Sequence, residues 1–332
     1  MKKIASYALG CKVNQYESEA IAELFAEKGY EVVSVDDEAD VYIINTCTVT
    51  NFGDKKSRQL IRKVKRQNEN AIVAVVGCYA QTAPEELAAV HGVNLVIGTK
   101  DKSKIVELVE DYQAEQGVQN YVTDIMHERV FEPLEIKKLA NRTRAYLKIQ
   151  DGCSQFCSYC IIPYARGPIR SRQPEDVIAE VKRLAENGFK EVVLTGIHVA
   201  SYGKDLKTIT LTDIIRQVHE VEGIERIRFS SIEPNVVTEE FAAAMAELPK
   251  VCDHFHLSLQ SGCDKTLKEM NRKYDTEKYR QAAALLRKYL PDVAITTDII
   301  VGFPGETEED YQASRAFAEE IGFSKIHVFP YS

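Results

Sequence analysis

Three cysteines within eight residues, Cys153-Ser-Gln-Phe-Cys157-Ser-Tyr-Cys160, constrain this chain more than any other stretch. They follow an extended run at 144–150 and precede Pro163. Thiolates are soft ligands, suited to zinc or to the irons of an iron–sulfur centre. Structural zinc closes its shell with a fourth Cys or His, and none lies close by in sequence. A four-iron cubane held by three cysteines keeps one iron open to a substrate or cofactor. On spacing alone two other readings stay open: thiols packed as small hydrophobes, and a zinc loop borrowing a distant ligand.

With 332 residues the chain is long enough for two domains with cores of their own. Its 45% hydrophobic and 28% charged residues are those of an ordinary globular protein. No apolar run approaches the roughly 20 residues of a membrane span. The start, MKKIASYALGCKVNQ, lacks the apolar core and cleavage site of a signal peptide. The eight cysteines are clustered or follow predicted strands, which points to metal ligation in a reducing cytoplasm rather than to secreted disulfides. A net charge of −8 does not advertise a nucleic-acid partner, although a local basic face can hide within it.

Up to about residue 100, short apolar runs at 4–9, 41–45, 71–76 and 95–97 alternate with helical patterns. The runs are continuously apolar, as strands of a parallel sheet covered on both faces should be. The prediction is an open, doubly wound parallel α/β sheet. Cys11, Cys47 and Cys78 each follow one of the first three runs. Open α/β sheets bind their ligands at the carboxyl ends of such strands, so the three thiols are expected to converge. Gly10 and Gly77, each just before a cysteine, would let the backbone approach a bulky inorganic ligand. A second cluster with an open iron is the expectation, with zinc and unrelated core cysteines as the alternatives.

The segment 54–68 is the basic face that net charge conceals. Lys55, Lys56, Arg58, Arg62, Lys63, Lys65 and Arg66 fall on one side of a helix, and Leu60, Ile61 and Val64 on the other. These cations are read as candidates for RNA backbone contact, Lys55, Arg58, Arg62 and Arg66 foremost, against a merely solvated face. A peripheral helix is expected at 102–112, closing a first domain of residues 1–112, and then a connector at 113–141.

From residue 142 strands are expected at 146–150, 191–195, 226–231, 255–259, 294–301 and 326–329, with helices between them. Six βα units make a partial barrel, (βα)6, with its site at the carboxyl ends of the strands. Polar groups stand at several of those ends: Thr195-Gly196, Ser231 and Glu233, Ser258 and Gln260, and the stretch from Thr297 to Thr307. Arg166, Arg170 and Arg172, beyond the cysteine loop, are candidates for substrate contact or for surface ion pairs. Cys252 and Cys263 fit neither triad.

The Cys153–Cys157–Cys160 spacing, with Tyr159 before the last cysteine, resembles the cluster loop of the radical S-adenosylmethionine (SAM) enzymes. Leu9-Gly-Cys-Lys-Val-Asn-Gln-Tyr-Glu-Ser, Asn45-Thr-Cys and Gly77-Cys-Tyr-Ala-Gln are similar to the signature of the methylthiotransferases within that family. The resemblance runs over nearly the whole chain. It implies two [4Fe-4S] clusters, a radical-generating one on Cys153, Cys157 and Cys160 and an auxiliary one on Cys11, Cys47 and Cys78. It also implies SAM contacts: Tyr159 in the cluster loop, Thr195 and Gly196 toward the amino group, Ser231, Glu233 and Ser258 or Gln260 toward the ribose, Arg272 toward the carboxylate, and Ile300 and Phe303 beside the adenine.

What the resemblance implies for function is methylthiolation of an aromatic carbon of tRNA, with an external one-electron reductant of the flavodoxin or ferredoxin type. The Gly-Cys-Lys-Val-Asn-Gln-Tyr-Glu start looks most like the threonylcarbamoyladenosine (MtaB-like) group, which would place the reaction at C-2 of that nucleoside next to the anticodon. The family's other substrates are isopentenyladenosine in tRNA and an aspartate of a ribosomal protein. It usually continues into a small β-rich TRAM domain that binds RNA, and the resemblance makes such a domain the expectation beyond Ser332. A rival of another class is a non-catalytic iron–sulfur module for electron transfer or RNA binding. It explains the cysteines but not the polar strand ends. Arg166 is the candidate RNA contact beside the cluster loop.

Overall fold

The computed structural model describes residues 1–48, 51–136 and 144–332, the side chains of 51 and 52 excepted. The chain forms two compact units. The first comprises Met1–Asn141, Asp151–Ser154 and Ile161–Arg170; the second comprises Arg142–Gln150, Gln155–Cys160 and Ser171–Ser332. The expected domain start at 142 lies outside the described residues.

The first unit holds a six-stranded parallel sheet of strands β1 (Lys3–Ala8), β2 (Glu31–Val32), β3 (Val41–Thr46), β4 (Ile72–Gly77), β5 (Leu95–Ile97) and β6 (Gln119–Asn120). Their spatial order is β2-β1-β3-β4-β5-β6. The four expected strands are all present. Strands β2 and β6 were not legible, because two residues leave no apolar run to read, and β6 falls inside the expected connector. The alternation along β3 shows why its sequence is apolar throughout. Tyr42 and Ile44 pack into the core on one face, with Ile61, Val64 and Val75, while Val41 and Ile43 pack into the core on the other, with Ile21 and Phe25. Helices α1 (Lys12–Glu27) and α2 (Asn51–Gln67) thus cover opposite faces, and α3 (Cys78–Thr82) starts where β4 stops. The expected helix at 102–112 is a 3-10 turn, Lys102–Lys104, continued by a short α-helix, Ile105–Glu110.

The second unit carries the six expected parallel strands as β7 (Arg144–Asp151), β9 (Glu191–Gly196), β10 (Arg226–Phe229), β11 (His254–His256), β12 (Ala294–Val301) and β13 (Lys325–Pro330), with a two-residue strand, β8 (Arg170–Ser171), beside β7. They form sheets of order β10-β9-β7-β8 and β11-β12-β13, and the parallel bridge Ile232–Leu257 joins the two beyond the ends of β10 and β11. Helices lie between successive strands, and their starts are written in the sequence. Thr210 with Asp213, and Thr307 with Asp310, form capping boxes that satisfy orphan amide donors at the starts of Leu211–His219 and Glu308–Ile321. Helix Pro174–Glu186 opens on proline and is followed by Gly188 at φ +87°.

Two glycines define how tightly the strand ends of the first unit approach one another. At Gly10, φ is +98° and a Cβ would fall 2.6 Å from Cys47 Sγ. At Gly77, φ is +97° and a Cβ would fall 2.3 Å from Asn45 Oδ1 and 2.7 Å from the Thr46 carbonyl oxygen. By contrast Gly29, at φ +87°, has nothing within 4 Å of its Cβ position. Gly29→Ala is expected to cost about 1 kcal/mol, the backbone strain alone, whereas Gly77→Ala should cost at least about 3 kcal/mol because the backbone must also part. Urea denaturation of the cluster-free protein checks this, and equal midpoint shifts for the two variants would refute the close approach at Gly77.

Candidate active site

Cys11 immediately follows the β1 turn and precedes α1, Cys47 follows β3, and Cys78 opens α3 directly after β4. The three thiols therefore stand past the carboxyl ends of three neighbouring parallel strands, where ligands of open α/β sheets sit. Cys47 and Cys78 are buried and Cys11 is exposed. Asn14, in the first turns of α1, ties the loops together. Its Nδ2 donates to the Leu9 carbonyl at 2.8 Å and the Thr46 carbonyl at 3.0 Å, and its own carbonyl accepts from Asn45 Nδ2 at 3.1 Å. The glycine-permitted approach of Gly10 to Cys47 brings these strand ends close together, with Cys11 the exposed member of the three. Three thiols at adjacent strand ends are a donor set of the kind that suits iron–sulfur irons.

Arg166 is the residue whose placement overturns the sequence reading. Rather than facing RNA, it is completely buried and its guanidinium reaches Cys78. Nε donates to Cys78 Sγ at 3.2 Å, Nη1 to Glu17 Oε1 at 2.6 Å and Nη2 to Asn14 Oδ1 at 2.6 Å, with Asp151 Oδ2 3.4 Å from Nη1. Glu17, also fully buried, meets the buried Lys102 Nζ at 3.0 Å. Burial pushes the Cys78 thiol up, and the Arg166 charge works against that rise by favouring the thiolate. Arg170 and Arg172 are likewise buried, against Asp151 and Glu180 respectively, so neither forms the expected surface pair. An arginine that must neutralise a buried glutamate cannot also reach a solvent phosphate.

The basic side of α2 is as the periodicity implies, with Ile61 and Val64 fully buried and Lys55, Lys56, Arg62, Lys63 and Arg66 exposed. Some charges are engaged locally. Arg58 donates to Tyr79 Oη and lies 3.9 Å from Glu86, Lys63 pairs with Asp36, and Lys65 Nζ donates to the carbonyls of Glu69 and Ala71. A surface cleft of about 660 Å³ runs beside the helix, lined by Tyr7, Lys56, Arg62 and Arg66 among others.

In the second unit, residues 155–160 of the cysteine loop are tied to the 269–272 segment. Ser158 N–H donates to the Met270 carbonyl at 3.1 Å, and Asn271 Nδ2 to the Phe156 carbonyl at 2.8 Å. From there Arg272 reaches Cys157 Sγ at 3.2 Å and Tyr159 Oη at 3.4 Å with Nη1, Glu233 Oε1 at 2.9 Å with Nη2, and Tyr274 Oη at 2.9 Å with Nε. The other Glu233 oxygen faces His198 Nε2 at 3.2 Å. Burial alone would raise the Glu233 pKa; His198 and Arg272 outweigh it and hold the group below the usual carboxylate range. Burial likewise pushes the Tyr159 hydroxyl up, so it stays a neutral hydrogen-bonding group. Four predicted residues, Cys157, Tyr159, Glu233 and Arg272, thus form one connected polar group.

The other predicted contacts sit at their strand ends with local partners. The Thr195 hydroxyl donates to the Val193 carbonyl, and the Gly196 amide reaches Ser230 Oγ at 3.4 Å. Ser231 is exposed, and Ser258 passes its carbonyl to Tyr274 Oη. Gln260 adopts φ +73° and exchanges backbone bonds with Asp298 and Ile300, and Phe303 meets Tyr331 edge-on at 5.6 Å. Sequence reasoning missed His198 and Tyr274. Each lies two residues past a predicted one, Gly196 and Arg272, on a turn whose direction periodicity does not specify. Cys263 is buried against Asp310, apart from either triad.

Residues 147–318 match the radical SAM superfamily, and residues 3–98 match the uncharacterised protein family UPF0004. A threonylcarbamoyladenosine tRNA methylthiotransferase, MtaB, of Bacillus subtilis is 49% identical over all of this chain and 74% of its own length. The chain belongs to the radical-SAM tRNA methylthiotransferases. The MtaB of Aquifex aeolicus is 43% identical over 99% of this chain and 80% of its own. A tRNA-2-methylthio-N(6)-dimethylallyladenosine synthase of Thermoanaerobacter is 40% identical over 97% of this chain and 70% of its own. Among solved structures, the radical SAM methyltransferase TsrM of Kitasatospora setae matches the fold with TM-score 0.69 at 16% identity, covering 99% of this chain and 72% of that one. Radical-SAM membership brings SAM and one [4Fe-4S] cluster with it. Among the described residues no helix is long and apolar enough to cross a membrane.

The buried charges of this methylthiotransferase make a firm demand. Arg166→Met takes the buried guanidinium from Glu17 and Asp151 and the N–H donor from Cys78, so the first unit should lose about 3–5 kcal/mol. Chemical denaturation of the cluster-free protein measures it, and a shift below about 1 kcal/mol would show the guanidinium to be dispensable.

Proposed function

We propose that this enzyme transfers a methylthio group to C-2 of N6-threonylcarbamoyladenosine next to the anticodon of tRNA. The observation that carries the reading is the presence of two separate thiol sets on one radical-SAM chain, with Cys11, Cys47 and Cys78 past three adjacent strand ends. The B. subtilis relative, more similar than the dimethylallyladenosine synthase, supports the nucleoside; isopentenyladenosine is the second reading.

Cys153, Cys157 and Cys160 would hold the [4Fe-4S] cluster that reductively cleaves SAM, and Cys11, Cys47 and Cys78 an auxiliary cluster supplying sulfur chemistry. The chain's own residues do the positioning. Arg272 keeps a donor on Cys157 and is itself fixed by Glu233 and Tyr274. Glu233, held ionised, presents a carboxylate suited to hydroxyl donors such as those of a ribose, and Thr195, Gly196, Ser231, Ser258, Gln260, Ile300 and Phe303 supply the other proposed SAM contacts. Asn14 and Arg166 fix the loops of the first triad. Lys55, Arg62 and Arg66 are the proposed contacts to tRNA phosphates, with Arg58 turned partly toward Tyr79. A small redox protein of the flavodoxin or ferredoxin type would supply the electron.

Two results are expected. Replacing Cys153, Cys157 and Cys160 with Ala should abolish 5′-deoxyadenosine formation from SAM. Replacing Cys11, Cys47 and Cys78 should leave it measurable while methylthiolation of tRNA disappears, by mass analysis of digested nucleosides. Methylthiolated product from the N-terminal triple variant would sink the auxiliary site, and product confined to isopentenyladenosine would select the second reading. Neutralising Lys55, Arg62 and Arg66 together should lower the salt slope of tRNA binding by up to about 0.7–0.9 per lost phosphate contact, alike for all tRNAs. An unchanged slope would mean that the helix is only a solvated face.

A further inference from the structure

Strands β11, β12 and β13 place three metal-competent side chains together, away from both cysteine triads in sequence. His256 lies opposite Thr296 in the β11–β12 register, and Asp298 lies opposite His327 in the β12–β13 register. Since side chains alternate across a sheet, Thr296 and Asp298 share a face, and the intervening Thr297, like Phe255 and Ile295, is buried on the other. On the shared face the donor atoms of His256, Asp298 and His327 lie within 4.8 Å of one another.

Two of the three donor pairs stand at the spacing of ligands around one ion, and the third lies within 4.8 Å. His256 Nε2 stands 3.2 Å from Asp298 Oδ2, and His327 Nδ1 stands 3.3 Å from Asp298 Oδ1. Donors about 2.0–2.2 Å from a tetrahedral cation are separated by about 3.4 Å. The orientation of His256 points the same way. Its Nδ1 is engaged by Thr296 Oγ1 at 3.0 Å, while Nε2 is buried and makes no well-directed hydrogen bond among the described residues. A hydroxyl that fixes one ring nitrogen and leaves the other turned toward the ion is the usual support of a ligating imidazole. His327, half exposed, leaves the group open to solvent on one side.

We propose that His256, Asp298 and His327 bind a divalent first-row cation with open coordination positions, at a site that uses none of the cysteines. Two imidazoles and a carboxylate suit zinc or ferrous iron rather than magnesium or calcium. The open positions would accept water or an anionic oxygen of a ligand. The inference rests on this geometry and not on the choice of tRNA nucleoside.

The test uses cluster-loaded protein and Zn²⁺ as the probe. After anaerobic dialysis against buffered Zn²⁺ and desalting, zinc, iron and sulfide are measured per chain. Wild type should retain one zinc more than His327→Gln or Asp298→Asn protein, with iron and sulfide equal in all three. Either substitution should weaken zinc binding at least about 100-fold, and Thr296→Ala, which removes only the supporting hydroxyl, by about 10–100-fold. Because His327 is exposed, its variant is the one expected to fold unchanged, and equal circular dichroism spectra confirm that. Zinc retained equally by wild type and His327→Gln, or no zinc retained by wild type, overturns the site and leaves a His–Asp–His ion-pair group.

Discussion

A single buried guanidinium sets the terms for the first unit. Arg166 could not be tolerated inside a protein without compensation, because the desolvation of an isolated charge costs several kcal/mol. Glu17 supplies the opposite charge, Asn14 accepts from Nη2, and Lys102 shares Glu17 Oε1 with the guanidinium. These partners come from α1, from the turn after β5 and from the helix that follows the cysteine loop, Ile162–Arg166. Each must arrive in register for any of them to be stable. The same network aims an N–H at Cys78, so the constraint that specifies the fold also favours the thiolate at the proposed auxiliary site. A buried ion pair is weak grounds for net stability; what this one does is tie Glu17, Asn14 and Cys78 to a single guanidinium.

The second unit solves a similar problem with a different pair. Glu233 and Arg272 are both nearly buried, 2.9 Å apart, and each has further partners. Arg272 stacks 4.8 Å from the Tyr274 ring, which fixes the plane of the guanidinium and hence the direction of the N–H toward Cys157. A lysine could not hold a carboxylate, a thiol and a phenol at once from one rigid fork. The carboxylate is kept ionised by neighbours that oppose its burial, so it remains an acceptor throughout the neutral range.

How much of this the sequence carries depends on the length of the signal. Strands such as β3 and β12 bury both faces or hold a clear pattern over six residues or more, and they were legible. Strands β2 and β6 are two residues each and were not. The cysteines declared themselves by spacing and by position after apolar runs, and Gly10 and Gly77 by adjacency to them. Arg166, Arg170 and Arg172 did not, because a charged residue carries no mark of burial until its partner is known. Glu17, the partner of Arg166, lies 149 positions away. The same holds for His198 beside Glu233. His256, Asp298 and His327 belong to three different strands, and only parallel register brings them onto one face.

The contrast between two groups of cations shows what decides their use. On α2 the apolar residues occupy the inner side so completely that Lys55, Arg62 and Arg66 have no route into the core, and their charges add in solvent. In the 166–172 segment no such amphipathic period exists, and each arginine instead meets an acid within its own unit. A net charge of −8 therefore says little about either group. Screening limits exposed charges to about 8–10 Å at physiological salt, so a phosphate chain passing α2 would feel the stripe of cations nearest to it rather than the acidic whole. Local patterning, not the total, controls whether this surface attracts a polyanion, and a cation spent on a buried acid contributes nothing to it.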